Sequence, residues 1–271
     1  MPPFLRFTTT ISRFSIIILF LQTISFSFLH ASVLSYALGH QQSSSDKDSE
    51  IALLSDQLRT GDAEARRDAA MSLSHFKEKA VVSILLGALN DSSPTVRAAV
   101  VTALGHIGDS SVVSSLTPLL AADKEVFVRK VVAYALGRLS GSASTTALLG
   151  GLKDKDPEVR GASAVSLGEQ RDPSTTAPLT SALSDKNPFV RARAAAALGS
   201  IGAAAASAVP TLIALLKSDK EAEVKRQIAT ALGYMGDRSA LAALHVAAAD
   251  NDPYLSSAAR DSIKKLKRED Q

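Results

Sequence analysis

Cysteine and tryptophan are both absent from the chain, and aromatic side chains together make up only 5% of it. Without cysteine there is no disulfide, thiolate nucleophile, zinc-finger spacing or lipid-bearing cysteine, so stability has to come from packing. The shortage of aromatics, with alanine runs at Ala194 to Ala197 and Ala203 to Ala206, suits closely packed helices better than a β-sandwich. Chemical motifs are missing as well. No Gly-rich loop runs into Lys-Ser or Lys-Thr, no Gly-x-Ser-x-Gly elbow occurs, and His-Glu-x-x-His is absent. Those absences remove the phosphate cradle, the serine nucleophile and the helical zinc site. His40, His75, His106 and His245 have no adjoining glutamate, which leaves too few ligands for a metal. No catalytic residue, metal, cofactor or small-molecule substrate is therefore assigned.

Acidic residues are lacking at one end of the chain. None occurs before Asp46, where Arg6 and Arg13 are the only Lys or Arg. Setting those two aside leaves 28 of the 30 basic residues against 27 acidic ones, a net of +1. A nearly neutral body of this kind makes a nucleic-acid partner unexpected.

From Phe14 to Ser45 the chain carries no Asp, Glu, Lys or Arg, and the run from Ser15 to Leu21 is strongly apolar after a short basic region. This is the layout of an export signal. Ser35-Tyr36-Ala37 offers small residues for cleavage after Ala37, with Ala31 a second position. The uncharged stretch also exceeds the roughly 20 residues that span a bilayer, so residues 1–37 read as a signal peptide or a signal anchor. Either way, positive charge ahead of the apolar run directs the downstream chain across the membrane. The protein is thus expected to be periplasmic or secreted, or tethered by its N-terminal segment, its only membrane contact. Residues 38–49, with Gln41-Gln42-Ser43-Ser44-Ser45 at their centre, read as a polar linker.

Beyond that point one pattern recurs. Its clearest form is Asp91-Ser92-Ser93-Pro94-Thr95-Val96-Arg97, followed by Ala103-Leu104-Gly105. Aligned on Arg97, the same position holds Arg66, Arg129, Arg160, Arg191, Lys225 and Ser256, separated by 31 to 34 residues. Seven residues later stands Leu73, Leu104, Leu136, Leu167, Leu198, Leu232 or Ile263. Six residues before all but the first stands Asp91, Asp123, Asp154, Asp185, Asp219 or Asp250. Val96, Ala99, Val100, Ala103, Leu104 and Ile107 fall at helical offsets, so they share one face of a helix. Ser93, Asp156, Asn187 and Asp252 each precede a proline, the chemistry of a helix start. Gly105, Gly137, Gly168, Gly199 and Gly233 read as helix stops. The apolar runs Ile51 to Leu58, Val81 to Leu89, Val112 to Leu120, Thr145 to Leu152, Thr175 to Leu183, Val209 to Leu216 and Ser239 to Ala247 supply the first helix of each unit.

Such hairpins bury both sides only by stacking, and the end units should be atypical. The first lacks the Asp and the last lacks the base. The Asp, Pro, Val-Arg and Ala-Leu-Gly pattern resembles the HEAT-repeat family, specifically its short bacterial class named after phycobilisome lyases. That resemblance covers residues 50–266 and implies an all-α, right-handed solenoid of about seven helical hairpins. The units fall at about 50–77, 78–109, 110–141, 142–172, 173–203, 204–237 and 238–266, leaving 267–271 as a charged tail. It also implies a protein-binding scaffold, with a bilin-lyase relative as the alternative. A related helical-repeat family, deoxyhypusine hydroxylase, binds iron through His-Glu pairs, none of which occurs here.

Two polar columns stand out. Arg66, Arg97, Arg129, Arg160, Arg191 and Lys225, with Asp91, Asp123, Asp154, Asp185, Asp219 and Asp250, are in register and equal in number, as the ladder of charges implied by the resemblance requires. The second column lies one, five and nine residues beyond each anchor, on a helical face that avoids the apolar stripe and so points to the inner, concave side. Its polar or bulky members are Arg67, Met71, His75, Thr102, His106, Lys130, Tyr134, Arg138, Glu169, Arg226, Thr230 and Tyr234. Lys130, Tyr134 and Arg138, with Arg226 and Tyr234 further along, form the expected contact points for another protein, because Tyr and Arg predominate among interface anchors.

Overall fold

The computed structural model describes residues 45–268. The export segment at 1–37, most of the linker and residues 269–271 lie outside that range. Backbone contacts divide the chain into Met1–Leu53 and Leu54–Gln271. Of the first unit, residues 45–53 are described, and all are helical.

Among the described residues there are fourteen α-helices and no strands. They form seven consecutive pairs: α1 (45–60) and α2 (Ala63–Leu73), α3 (Lys79–Gly87) and α4 (Pro94–Ile107), α5 (Val113–Ala122) and α6 (Val126–Arg138), α7 (Ser142–Gly151) and α8 (Pro157–Gln170), α9 (Thr176–Ala182) and α10 (Pro188–Ile201), α11 (Val209–Ser218) and α12 (Ala222–Met235), α13 (Leu241–Ala247) and α14 (Pro253–Arg268). Short 3₁₀ turns precede α5, α9, α11 and α13.

Two boundaries differ from expectation. Residues 45–49 of the linker are already helical, because Asp46, Asp48 and Glu50 place negative charge at the positive end of the helix dipole. At the other end Lys267 and Arg268 continue α14 rather than starting a tail, because cations favour a helix C-terminus.

The second helices of the pairs, α2, α4, α6, α8, α10, α12 and α14, form an unbroken row in which each packs on the next. Burial follows the sequence pattern. Val96, Val100, Ala103 and Leu104 of α4 are inaccessible or nearly so, and Ile107 is half-buried. The aligned Leu73, Leu136, Leu167, Leu198 and Leu232 are wholly buried. Burying a leucine contributes about 2 kcal/mol, and the periodic array repeats that gain along the stack.

Helix starts match their chemistry. The carboxylates of Asp156 and Asp252 and the amide oxygen of Asn187 accept the N–H groups of Glu158, Tyr254 and Phe189. The Ser93 hydroxyl pairs instead with that of Thr95.

The recurring glycines, however, are not helix stops. Gly105, Gly137, Gly168, Gly199 and Gly233 all lie inside their helices. A Cβ at Gly168 would sit 2.6 Å from Cα of Ala197, and one at Gly105 would sit 2.8 Å from Cβ of Ala135. They are the points where consecutive second helices touch backbone to backbone, and side chains are excluded there because there is no room. The stops lie a few residues later, at left-handed Gly108 (φ 81°), Arg171 (φ 52°) and Gly236 (φ 77°).

Candidate functional site

The two columns meet different fates. In the ladder, the guanidinium of Arg66, Arg97, Arg129, Arg160 or Arg191 donates two hydrogen bonds, through Nε and Nη2, to the carboxylate of Asp91, Asp123, Asp154, Asp185 or Asp219 in the next repeat. All ten bonds measure 2.7–3.0 Å. The remaining nitrogen, Nη1, donates to a carbonyl within its own repeat: Asp91, Asp123, Asp154 and Asp185 for the later four, Gly61 for Arg66. Each Asp carboxylate also accepts the N–H two residues on, for example Glu125 to Asp123 and Asp156 to Asp154. One Asp thus fastens its own turn and joins it to the preceding repeat.

Electrostatics follow the geometry. For Asp91 the Arg66 bond is the main influence, and it holds the carboxyl below the usual range. Burial alone would raise Asp123, Asp154, Asp185 and Asp219, yet the arginine and backbone N–H groups outweigh it and leave all four lowered. The arginines are shifted upward by the same carboxylates. These side chains are occupied and largely buried, and Arg129 is only 2% exposed.

The column ends earlier than its sequence spacing implies. Among the described residues Lys225 has no ion pair with Asp250, which is exposed and retains only its turn bond to Asp252. A lysine has a single ammonium nitrogen and no planar fork, so it cannot give a carboxylate the two parallel bonds that each arginine gives. At the last anchor, the Ser256 hydroxyl donates 2.7 Å to the carbonyl of Ala248.

The second column is more open. Met71, His75, Thr102, His106, Tyr134, Arg138, Glu169 and Tyr234 are exposed, Thr230 is half-buried, and Tyr134 and Tyr234 show 43% and 60% of their surface. Positions one residue beyond the anchor are covered. Gly161 and Ala192 are buried, contrary to the expectation that they face an open groove. Arg67 is paired with Asp68 and Glu64, Lys130 with Glu158, and Arg226 with Glu223.

The cover comes from a column that the sequence pattern did not reveal, two residues before each anchor. Glu158 reaches back to Lys130. The Phe189 ring lies where a Cβ on Gly161 would be, 2.3 Å away. The Tyr254 ring stacks under Arg226 at 5.3 Å. Phe127 and Phe189 are each 40% exposed and Tyr254 is 69% exposed. Arg193 stacks on Phe189 at 4.9 Å and Lys265 on Tyr234 at 3.4 Å. The signal was present: an aromatic directly after the cap-proline pair, as in Asn187-Pro188-Phe189 and Asp252-Pro253-Tyr254.

The exposed face of the second helices therefore carries aromatic rings, several of them topped by cations, while most of its other bases are neutralised locally. Among the described residues no group of three or more His, Cys, Asp or Glu is placed to hold a metal ion.

Comparison with known proteins bears on the fold. The family model for HEAT repeats matches residues 51–137, 145–219 and 209–271. Comparison with the curated proteins finds no match. Among solved structures, the chain is similar to the YibA protein of Escherichia coli, with 24% identity and a TM-score of 0.60 over 82% of each chain. It is also similar to the CpcE and CpcF complex of phycocyanin lyase from Nostoc sp. PCC7120, at 21% identity and a TM-score of 0.50, covering 82% of this chain and 88% of that one. The Kap121p structure matches at 15% identity and a TM-score of 0.60, covering 80% of this chain but 29% of that much longer one.

Proposed function

The chain belongs to the HEAT-repeat family, and from that premise we propose that it is a protein-binding scaffold with no chemistry of its own. The observation that carries this reading is the pair Tyr134 and Arg138, one turn apart on α6, both exposed and neither in an ion pair among the described residues. Tyrosine and arginine are both enriched among the residues that carry most of an interface's binding energy. Tyr234, with Lys265 over its ring, supplies a second such point on α12. The second helices approach one another backbone to backbone, whereas the first helices have no such glycine contacts. In a curved stack the tighter row is the inner one, which supports reading this face as the concave side. The CpcE and CpcF complex, in which similar repeats assemble with another protein, supports the same reading.

Affinity capture with the full chain tests the proposal. Tyr134→Ala combined with Arg138→Ala should lose the partner while helicity and melting temperature stay unchanged. Undiminished capture by that variant, with loss on mutating exposed residues of the first helices, would move the site to the other side.

Export belongs to the same proposal. It rests on Arg6 and Arg13 ahead of the uncharged run from Phe14 to Ser45. A C-terminal reporter active only after export should be active, and a silent reporter on full-length cytosolic protein would refute it.

A further inference from the structure

The face formed by the first helices and the turns carries a feature of its own. Three clefts lie along it, of about 510 Å³ between the α3–α4 turn and α5, about 610 Å³ between α5 and α7, and about 590 Å³ between α7 and α9. Neighbouring clefts share wall residues. The first two share Ala122, Asp123 and Lys124, and the last two share Thr146, Gly150 and Lys153. From the α3–α4 turn to α9 is three repeat steps of about 9 Å, a row of clefts roughly 27 Å long, enough for about eight residues of extended chain at ~3.3 Å apiece.

Its charge is lopsided. The carboxylates along its edge, Asp91, Asp123, Asp154 and Asp185, are already held by Arg66, Arg97, Arg129 and Arg160. Lys124, Lys153 and Lys155 are exposed, and none has an ion pair among the described residues. Glu125 is the one acidic side chain on the wall outside the ladder.

Gly150 stands at the junction of two clefts. It is exposed inside α7, and a Cβ there would meet nothing within 4 Å. Glycine in an open helical position costs about 1 kcal/mol relative to alanine, with no packing reason for it here. Its neighbour Gly151 differs, since a Cβ at that position would strike Oγ of Ser163 at 2.2 Å. The absence of a side chain at Gly150 leaves the trough open from one cleft to the next.

We propose that this trough is a second docking surface, distinct from the exposed face of the second helices, and that its occupant is an acidic segment of another protein bound in extended form. The three unpaired ammonium groups match carboxylates spaced along such a segment, and the walls of alanine, leucine and threonine accept small side chains between them.

Fluorescence anisotropy with a labelled alternating Glu-Ala peptide of about ten residues, at low salt and with the full chain, tests this. The acidic peptide should bind saturably and a Lys-Ala peptide of equal length should not. Lys124→Glu with Lys153→Glu and Lys155→Glu should weaken binding at least about tenfold, the effect of losing about 1.4 kcal/mol. Gly150→Phe should give a similar loss with an unchanged melting temperature, whereas Gly150→Ala and the Tyr134→Ala, Arg138→Ala pair should bind as the parent does. Absence of saturable binding, or full binding by either the triple variant or Gly150→Phe, would overturn the proposal. So would displacement of the peptide by single-stranded DNA of equal length, which would make the trough a general polyanion surface.

Discussion

Arg129 donates two hydrogen bonds, of 2.8 and 3.0 Å, to the carboxylate of Asp154 in the following repeat, and the side chains are 2% and 8% exposed. The third nitrogen of Arg129 binds the carbonyl of Asp123 at 2.8 Å, so one side chain joins two turns of successive repeats. The same connection recurs from Arg66 to Arg191 and then stops at Lys225. Its position inside the stack makes it a fastening between repeats rather than a surface offered to a partner.

Removing one partner of so enclosed a pair leaves the other charged and unsatisfied. Arg129→Ala should lower unfolding free energy by about 3 kcal/mol, the scale for breaking a buried ion pair. Lys225→Ala, which breaks no comparable pair, should change it by less than about 0.5 kcal/mol. Equilibrium urea unfolding of both variants checks the contrast, and equal losses would mean that the ladder contributes nothing particular.

Acid should weaken the stack through the same groups. The ladder aspartates have folded-state pKa values below their ordinary range. A depressed carboxyl contributes stability that is fully present above its unfolded value of about 3.9 and disappears as pH falls through the folded value. Melting temperature should therefore hold steady above about pH 5 and drop steeply below about pH 4. A flat profile down to about pH 2 would show that the aspartates have the same affinity for protons in both states.

Two glycines should respond to alanine with opposite signs. At Gly168 the added methyl meets the Ala197 backbone at 2.6 Å, so Gly168→Ala should destabilise by about 1–3 kcal/mol through overpacking. At Gly150 the methyl meets nothing, so Gly150→Ala should stabilise by about 0.5–1 kcal/mol through helix propensity alone. Calorimetric melts of the two variants decide it, and a shift of the same sign in both would contradict the close helix approach.

Arg171 occupies a left-handed backbone position at φ 52°, where Gly108 and Gly236 stand at the ends of α4 and α12. A side chain with a Cβ costs roughly 1–2 kcal/mol there. Arg171→Gly should recover about 1 kcal/mol of that, offset in part by unfolded-state entropy. A lower melting temperature for this variant would mean that the arginine side chain makes a compensating contact.

Local chemistry was legible where it acts over short range. The 31- to 34-residue period, the burial of Val96, Val100 and Leu104, and the caps at Asp156, Asn187 and Asp252 depend on nearest neighbours along a helix, so the residues alone determined seven helical pairs. Packing between repeats is a different kind of fact. Gly105 and Gly168 looked like helix stops because glycine favours the left-handed region, yet they are glycine because Ala135 and Ala197 come too close. Lys225 aligned with five arginines, yet only a guanidinium fork gives the carboxylate two parallel bonds while its third nitrogen reaches the carbonyl. Arg67, Lys130 and Arg226 looked free because their partners among Asp68, Glu158, Glu223 and Tyr254 take their places only when the helices fold and stack. The sequence by itself determined the repeat period, the caps and the apolar stripe of each second helix. Only the tertiary structure decided which charges remain unpaired and which helices touch, because those depend on distances between repeats that a linear period does not encode.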